Sequence, residues 1–189
     1  MEFTLADQNH SLAFSAEQEL LAEKYKRMDL VFEYNALKPS LLFQRMELLK
    51  QIFAEVGKNV CIESPFHSTF GGINVHLGDN VFANFNLVLV DDADIYIGSH
   101  TKIGPNVTIA TASHPLSPEE RMHAKDSINT PVHIGENCWI GANVIILPGV
   151  TIGNNSVIGA GSIVRKNIPQ NVLAVGNPCK VIRKINDDE

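Results

Sequence analysis

Glycine is absent before Gly57, cysteine is scarce, basic residues are outnumbered by acidic ones, and apolar runs are short. Each shortage narrows what the chain can be. The three cysteines, Cys61, Cys138 and Cys179, are odd in number and widely spaced, with no CxxC pair, which argues against a disulfide framework. With no secretory apolar segment at the N-terminus, they read as reduced thiols of a cytoplasmic protein. The longest apolar stretches, such as Val144 to Leu147, fall far short of a membrane span. A formal net charge of -6 argues against nucleic acid as a partner, because phosphate binding wants a basic surface. What is present is a 189-residue chain, 44% apolar, enough to close one sizeable core.

The glycine-free region from about Ala16 to Val56 is rich in Leu, Glu, Lys, Arg and Met, a helical composition. Ser15 is placed to cap a first helix with Gln18 as its capping-box partner, and Leu20, Leu21, Tyr25, Met28, Val31 and Phe32 recur at roughly helical spacing. Pro39 and Ser40 should end that helix and cap a second one from Leu41 to Val56. Residues 1–57 are thus expected to form an N-terminal helical cap.

From Val60 onward the chain turns to short β-branched runs punctuated by Gly, Asn and Asp, and these runs repeat. Ile134, Ile140, Ile146, Ile152, Ile158 and Val164 follow one another every six residues, and Gly135, Gly141, Gly153 and Gly159 stand behind four of them. The same spacing occurs at Leu77, Ala83, Leu89 and Ile95, then at Ile97, Ile103 and Ile109. A second ladder runs two residues upstream, at Val75, Val81, Leu87 and Ala93, then Val132, Cys138, Val144 and Val150. A period of six is too short for a hairpin and out of phase with a helix. It suits a coil of three short strands and three corners, about eighteen residues in all, with one aliphatic column buried on each face. The pattern therefore predicts a mainly β fold, a parallel β-helix over residues 58–189 ending in a C-terminal tail. The register fails between Ile109 and Val132, where prolines, charges and two histidines replace the ladder, so an external loop is expected at about 111–131.

These residues resemble the galactoside and maltose acetyltransferase family, the sugar O-acetyltransferases of the hexapeptide-repeat superfamily. The resemblance is carried by Val81-Phe82-Ala83-Asn84-Phe85-Asn86, Val90-Asp91-Asp92, His114-Pro115, Trp139-Ile140-Gly141, Leu147-Pro148-Gly149-Val150-Thr151-Ile152-Gly153, Val157-Ile158-Gly159-Ala160-Gly161-Ser162 and Gly176-Asn177-Pro178-Cys179-Lys180. It extends to the helical cap and its Tyr34-Asn35. What it implies is a left-handed β-helix, against the usual right-handed crossover. It also implies a homotrimer with active sites between subunits, acetyl-CoA as the donor, a small hydroxylated acceptor, and no metal.

Moving an acetyl group from a thioester to a hydroxyl needs a base near neutral pH, and histidine suits the task. The family's catalytic histidine falls on His114, in the loop and just before Pro115. Direct attack needs no acyl-enzyme, and no cysteine matches a family nucleophile. The resemblance implies acceptor contacts at Asn84 and Asp92, with corner or turn roles as the plain alternative. If one residue is inserted upstream it adds Thr69. Ser15 stands near the place of an acceptor-binding Asp that has no clear counterpart. On the cofactor side it implies Ala142, Ala160, Arg165, Lys166, Lys180 and Arg183, with the Ala142 amide facing the oxyanion. Small side chains would let the pantetheine arm lie against the backbone, and the cations would neutralise phosphates. Lys180 stands where Arg is common. Trp139 packs on the histidine, on pantetheine, or only on its neighbours.

Three other readings compete. One is a transferase of the same superfamily acting on serine, a tetrahydrodipicolinate or an amino-sugar nitrogen, although such enzymes carry different N-terminal domains. Another is a γ-type carbonic anhydrase, which needs two of its three His ligands five residues apart. The histidines at 10, 67, 76, 100, 114, 123 and 133 offer no such pair. The last is a non-catalytic scaffold, which loss of His114 or of the CoA-side residues would have favoured.

Overall fold

The computed structural model describes residues 5–123 and 127–185. Two helices, α1 (Leu5–Ala36) and α2 (Leu42–Ile52), precede a parallel β-helix. The first helix starts well before Ser15, so that residue lies in mid-helix and is no cap; its side chain is outside the described residues. Nor does Ser40 cap the second helix. Leu41 stands at its N-cap without a side-chain hydrogen bond, and the helix stops at Ile52. The expected extension to Val56 fails because Glu55–Val56 pairs instead with His76–Leu77 and opens the first face of the β-helix.

Short strands stack into three parallel faces. The first runs through 55–56, 75–77, 95–97, 132–134 and 151–152. The second runs through 61–62, 82–83, 102–103, 139–140, 157–158 and 172–175, closed by the antiparallel strand Lys180–Lys184. The third runs through 66–68, 87–90, 108–110, 145–146 and 163–164. The predicted ladders are its interior: Ile134, Ile140, Ile146, Ile152, Ile158 and Val164 are all buried, as are Val75, Val81 and Leu87. Ala93 is only half-buried, because Asp91 turns inward at that corner and is fully buried.

Coil length departs from eighteen residues, and the corner asparagines measure it. Asn59, Asn80, Asn137, Asn155 and Asn171 share one corner with His100, all at positive φ, a backbone conformation that Asn tolerates better than most residues. Asn59 donates to Asn80 across 21 residues of chain, Asn137 to Asn155 across 18, and Asn155 to Asn171 across 16. The longer early coils hold extra residues at the corner between the third and first faces, after Ser68 and after Val90, and the second of these insertions is why the ladder changes phase between Ile95 and Ile97. Close stacking also explains glycine behind the ladder: a Cβ on Gly141 would lie 2.6 Å from the Ala160 backbone nitrogen of the next coil.

The helical cap is fastened to the first coil by polar groups. Tyr34, 1% exposed, donates to the Ile62 carbonyl (2.6 Å), and buried Arg45 donates to the same carbonyl (2.7 Å), to the Tyr34 oxygen (3.0 Å) and to Ser64 Oγ (2.6 Å). Asn35 exchanges two bonds with the Phe66 backbone. The register break leaves the β-helix as Ala112–Ser113 paired antiparallel with Ile128–Asn129, with a short helix α3 (Pro118–His123) between them.

Candidate active site

His114 follows the strand Ala112–Ser113 at the corner between the third and first faces, and it is exposed. Asp92 occupies the same corner one coil earlier, half-buried, with Oδ2 shielded from water and without a hydrogen-bond partner among the described residues. Burial pushes the Asp92 carboxyl above its ordinary range, and the neighbouring Asp91 adds to the shift; Lys24 and His114 pull it back.

Asp91 is a residue that sequence reading passed over. Its carboxylate accepts from Ser68 Oγ (2.6 Å), Phe70 N–H (2.9 Å) and Gly72 N–H (3.0 Å), and Asn74 donates to its carbonyl. This network fixes the backbone from which Asp92 projects. The available signal was the adjacent acidic pair at the corner where the ladder changes phase. Thr69, expected near the acceptor, turns its hydroxyl toward the Leu89 carbonyl at 3.5 Å.

A second group gathers at a different corner. A groove of about 650 Å³ runs along the second face and brings together Asn84, Trp139, Ala142 and Ala160, floored by Gly104, Gly141 and Gly159. Asn84 Oδ1 accepts from the Phe85 N–H (2.8 Å), leaving its amide NH2 available. The N–H groups of Ala142 and Ala160 donate to no acceptor among the described residues, although the Ala142 carbonyl accepts from Gly161 (2.8 Å). Free backbone donors on a glycine floor suit a slender amide-bearing chain lying along the groove, so these residues fit a pantetheine arm. Arg165 and Lys166 are exposed just past the last strand of the third face, and Lys180 and Arg183 lie on the closing strand, Arg183 in register with Leu173 at the groove's end. The four cations thus collect toward the C-terminal end. His114 and Asp92 do not line this groove.

Residues 12–57 match a family model described as the maltose acetyltransferase hexapeptide capping motif, and residues 131–166 match the bacterial transferase hexapeptide, six repeats. The chain is 52% identical to a galactoside O-acetyltransferase of Lactococcus lactis over 94% of its own length and 86% of the relative's. The chain belongs to the galactoside and maltose acetyltransferase family. The Escherichia coli galactoside O-acetyltransferase of that family is 50% identical, over 84% of this chain and 77% of its own. Solved family structures agree in shape. A galactoside acetyltransferase in complex with coenzyme A superposes with a TM-score of 0.85 at 47% identity, over 89% of this chain and 84% of that one. A maltose O-acetyltransferase from Clostridium difficile gives 0.85 at 42% identity, over 89% of each chain.

Proposed function

We propose that this protein is an acetyl-CoA-dependent O-acetyltransferase acting on a hydroxyl of a sugar or sugar-like acceptor. The observation that carries the reading is the corner between the third and first faces, where the half-buried Asp92 carboxyl and the loop that bears His114 lie on successive coils, in a family of sugar acetyltransferases. Bound acetyl-CoA would supply an acyl group already activated as a thioester. His114 takes the proton from the acceptor hydroxyl as the new C–O bond forms and passes it on toward the departing thiolate. Asp92, a positioning residue, orients the imidazole. Asn84 offers its amide to a neighbouring acceptor hydroxyl. The Ala142 N–H, with no protein acceptor, stabilises the charge developing on the acyl oxygen. Ala142, Ala160 and Trp139 hold the pantetheine arm, and Arg165, Lys166, Lys180 and Arg183 meet its phosphates.

Within one chain the base and the groove belong to different corners. This supports a homotrimer in which His114 of one subunit faces the groove of its neighbour, with Ser15 and Thr69 as further acceptor contacts. The test is thiol release from acetyl-CoA with a panel of sugar, serine and amino-sugar acceptors. The expected result is turnover with sugars that falls at least about 100-fold in His114→Ala, the usual size of a general-base effect, with the circular dichroism spectrum unchanged. Sugar turnover at the wild-type rate in that variant would remove the base assignment.

A further inference from the structure

The groove on the second face holds a charge that the reading above leaves unused. Lys102 is in register with Phe82 on one side and with Trp139 on the other, and all three line the groove together with Asn84. It is the only ionisable side chain among the lining residues. Among the described residues its ammonium has neither an ion pair nor a hydrogen bond. A lysine in register between two aromatic residues, in a lining otherwise neutral, meets no competing carboxylate there when a ligand enters. Its attraction for an anion strengthens as the ligand displaces water from the groove.

The position of Lys102 along the groove indicates which anion. The Asn84 N–H donates to the Ile103 carbonyl (2.9 Å), so Lys102 lies one coil from the residue assigned to acceptor hydroxyls. Arg165, Lys166, Lys180 and Arg183 stand at the opposite, C-terminal end, where the CoA phosphates already have cations. We infer that Lys102 is a specificity-determining residue that selects glycoside acceptors carrying a carboxylate, on the ring or on the aglycone. Its compact ammonium pairs with the carboxylate while Asn84 meets the hydroxyls. This rests on the O-acetyltransferase reading and names the acceptor class for that site.

The experiment uses matched acceptor pairs, a carboxyphenyl galactoside against the phenyl galactoside and a methyl hexuronide against the methyl hexoside, with wild type and Lys102→Met. Methionine keeps the unbranched stem and removes the charge. The expected result is a higher kcat/KM for the charged member of at least one pair in wild type. That preference should fall at least about tenfold in Lys102→Met, the scale of one hydrogen bond to a charged group. No preference in either pair, or a preference that survives the substitution, overturns the inference. A tenfold rise in the KM for acetyl-CoA with every acceptor also overturns it, because Lys102 would then serve the CoA phosphates. If wild type releases no thiol with any acceptor, the transferase reading is what fails. Calorimetric titration of the carboxyphenyl galactoside into wild type and Lys102→Met then decides the Lys102 assignment: at least tenfold weaker binding by the variant supports it, and equal binding rejects it.

Discussion

The carboxyl of Asp92 sits where burial and the adjacent Asp91 disfavour its ionised form, while Lys24 and His114 favour it. The net effect is a folded-state pKa above the ordinary carboxylate value of 3.8. A carboxyl whose pKa is raised on folding binds its proton more tightly in the native state. The stability from that proton is present below the unfolded value and is lost as pH rises through the folded one. Asp92→Asn should therefore be more stable than wild type at neutral pH, with the difference shrinking as pH falls through the raised folded value toward 3.8 and gone below it, as urea unfolding at a series of pH values would reveal. The same variant should lose acetyl transfer, since an amide does not replace the carboxylate that positions His114 in the proposed mechanism. Gain of stability with loss of activity is the signature of a group kept for function, and a turn carboxylate would not give it.

At the scale of elements, a buried triangle of Tyr34, Arg45 and the Ile62 carbonyl contributes to the joint between the helical cap and the β-helix, beside the Asn35–Phe66 bonds. Desolvation is the main reason that the Tyr34 hydroxyl is pushed from 10.0 up to about 12; Cys61 and Glu63 add to the shift, and Arg45 opposes it. The phenol is an acid with a raised folded pKa, so its contribution is full below pH 10 and drains away as pH climbs toward 12. A two-unit shift of this kind corresponds to about 3 kcal/mol over that window. Tyr34→Phe should cost about 1 kcal/mol near neutral pH for the lost hydrogen bond. It should also flatten the alkaline loss of stability relative to wild type. Denaturant melts at pH 9 and above test both expectations, and parallel alkaline curves for the two proteins would count against the triangle.

For the whole molecule, the separation of His114 and Asp92 from the groove holding Asn84, Ala142 and Ala160 has a consequence that single-site kinetics would miss. If each site takes its base from one subunit and its groove from the next, His114→Ala and Asn84→Ala are defects in complementary halves. Mixing the two inactive proteins in denaturant and refolding them together should restore about a quarter of the wild-type activity, the fraction of interfaces that random assembly leaves intact in a cyclic oligomer. Each variant refolded alone should stay inactive. No recovery in the mixture would place both halves of the site within one chain.

The β-helix was legible because its stabilising unit is local and repeated: each inward aliphatic residue follows the last by six positions, and a stack of coils makes the whole core from that one rule. The loop was legible as the place where the rule stops, and the proposed base, His114, as the histidine within it that matched the family. Helix ends and coil lengths were less visible, because they are settled by competition. Glu55–Val56 left the second helix for a strand partner across the sheet, and Asp91 turned inward between ladder positions because Ser68, Phe70 and Gly72 could satisfy its carboxylate. Likewise the sequence placed Asn84 and Trp139 far apart, and put Lys102 in no functional group. Only coil stacking set Lys102 between Phe82 and Trp139 and beside Asn84, because parallel register joins residues twenty or more positions apart in the chain. Periodicity by itself determined the architecture and the coil interior; which side chains share a corner or a groove was decided by how many residues each coil spends on its turns.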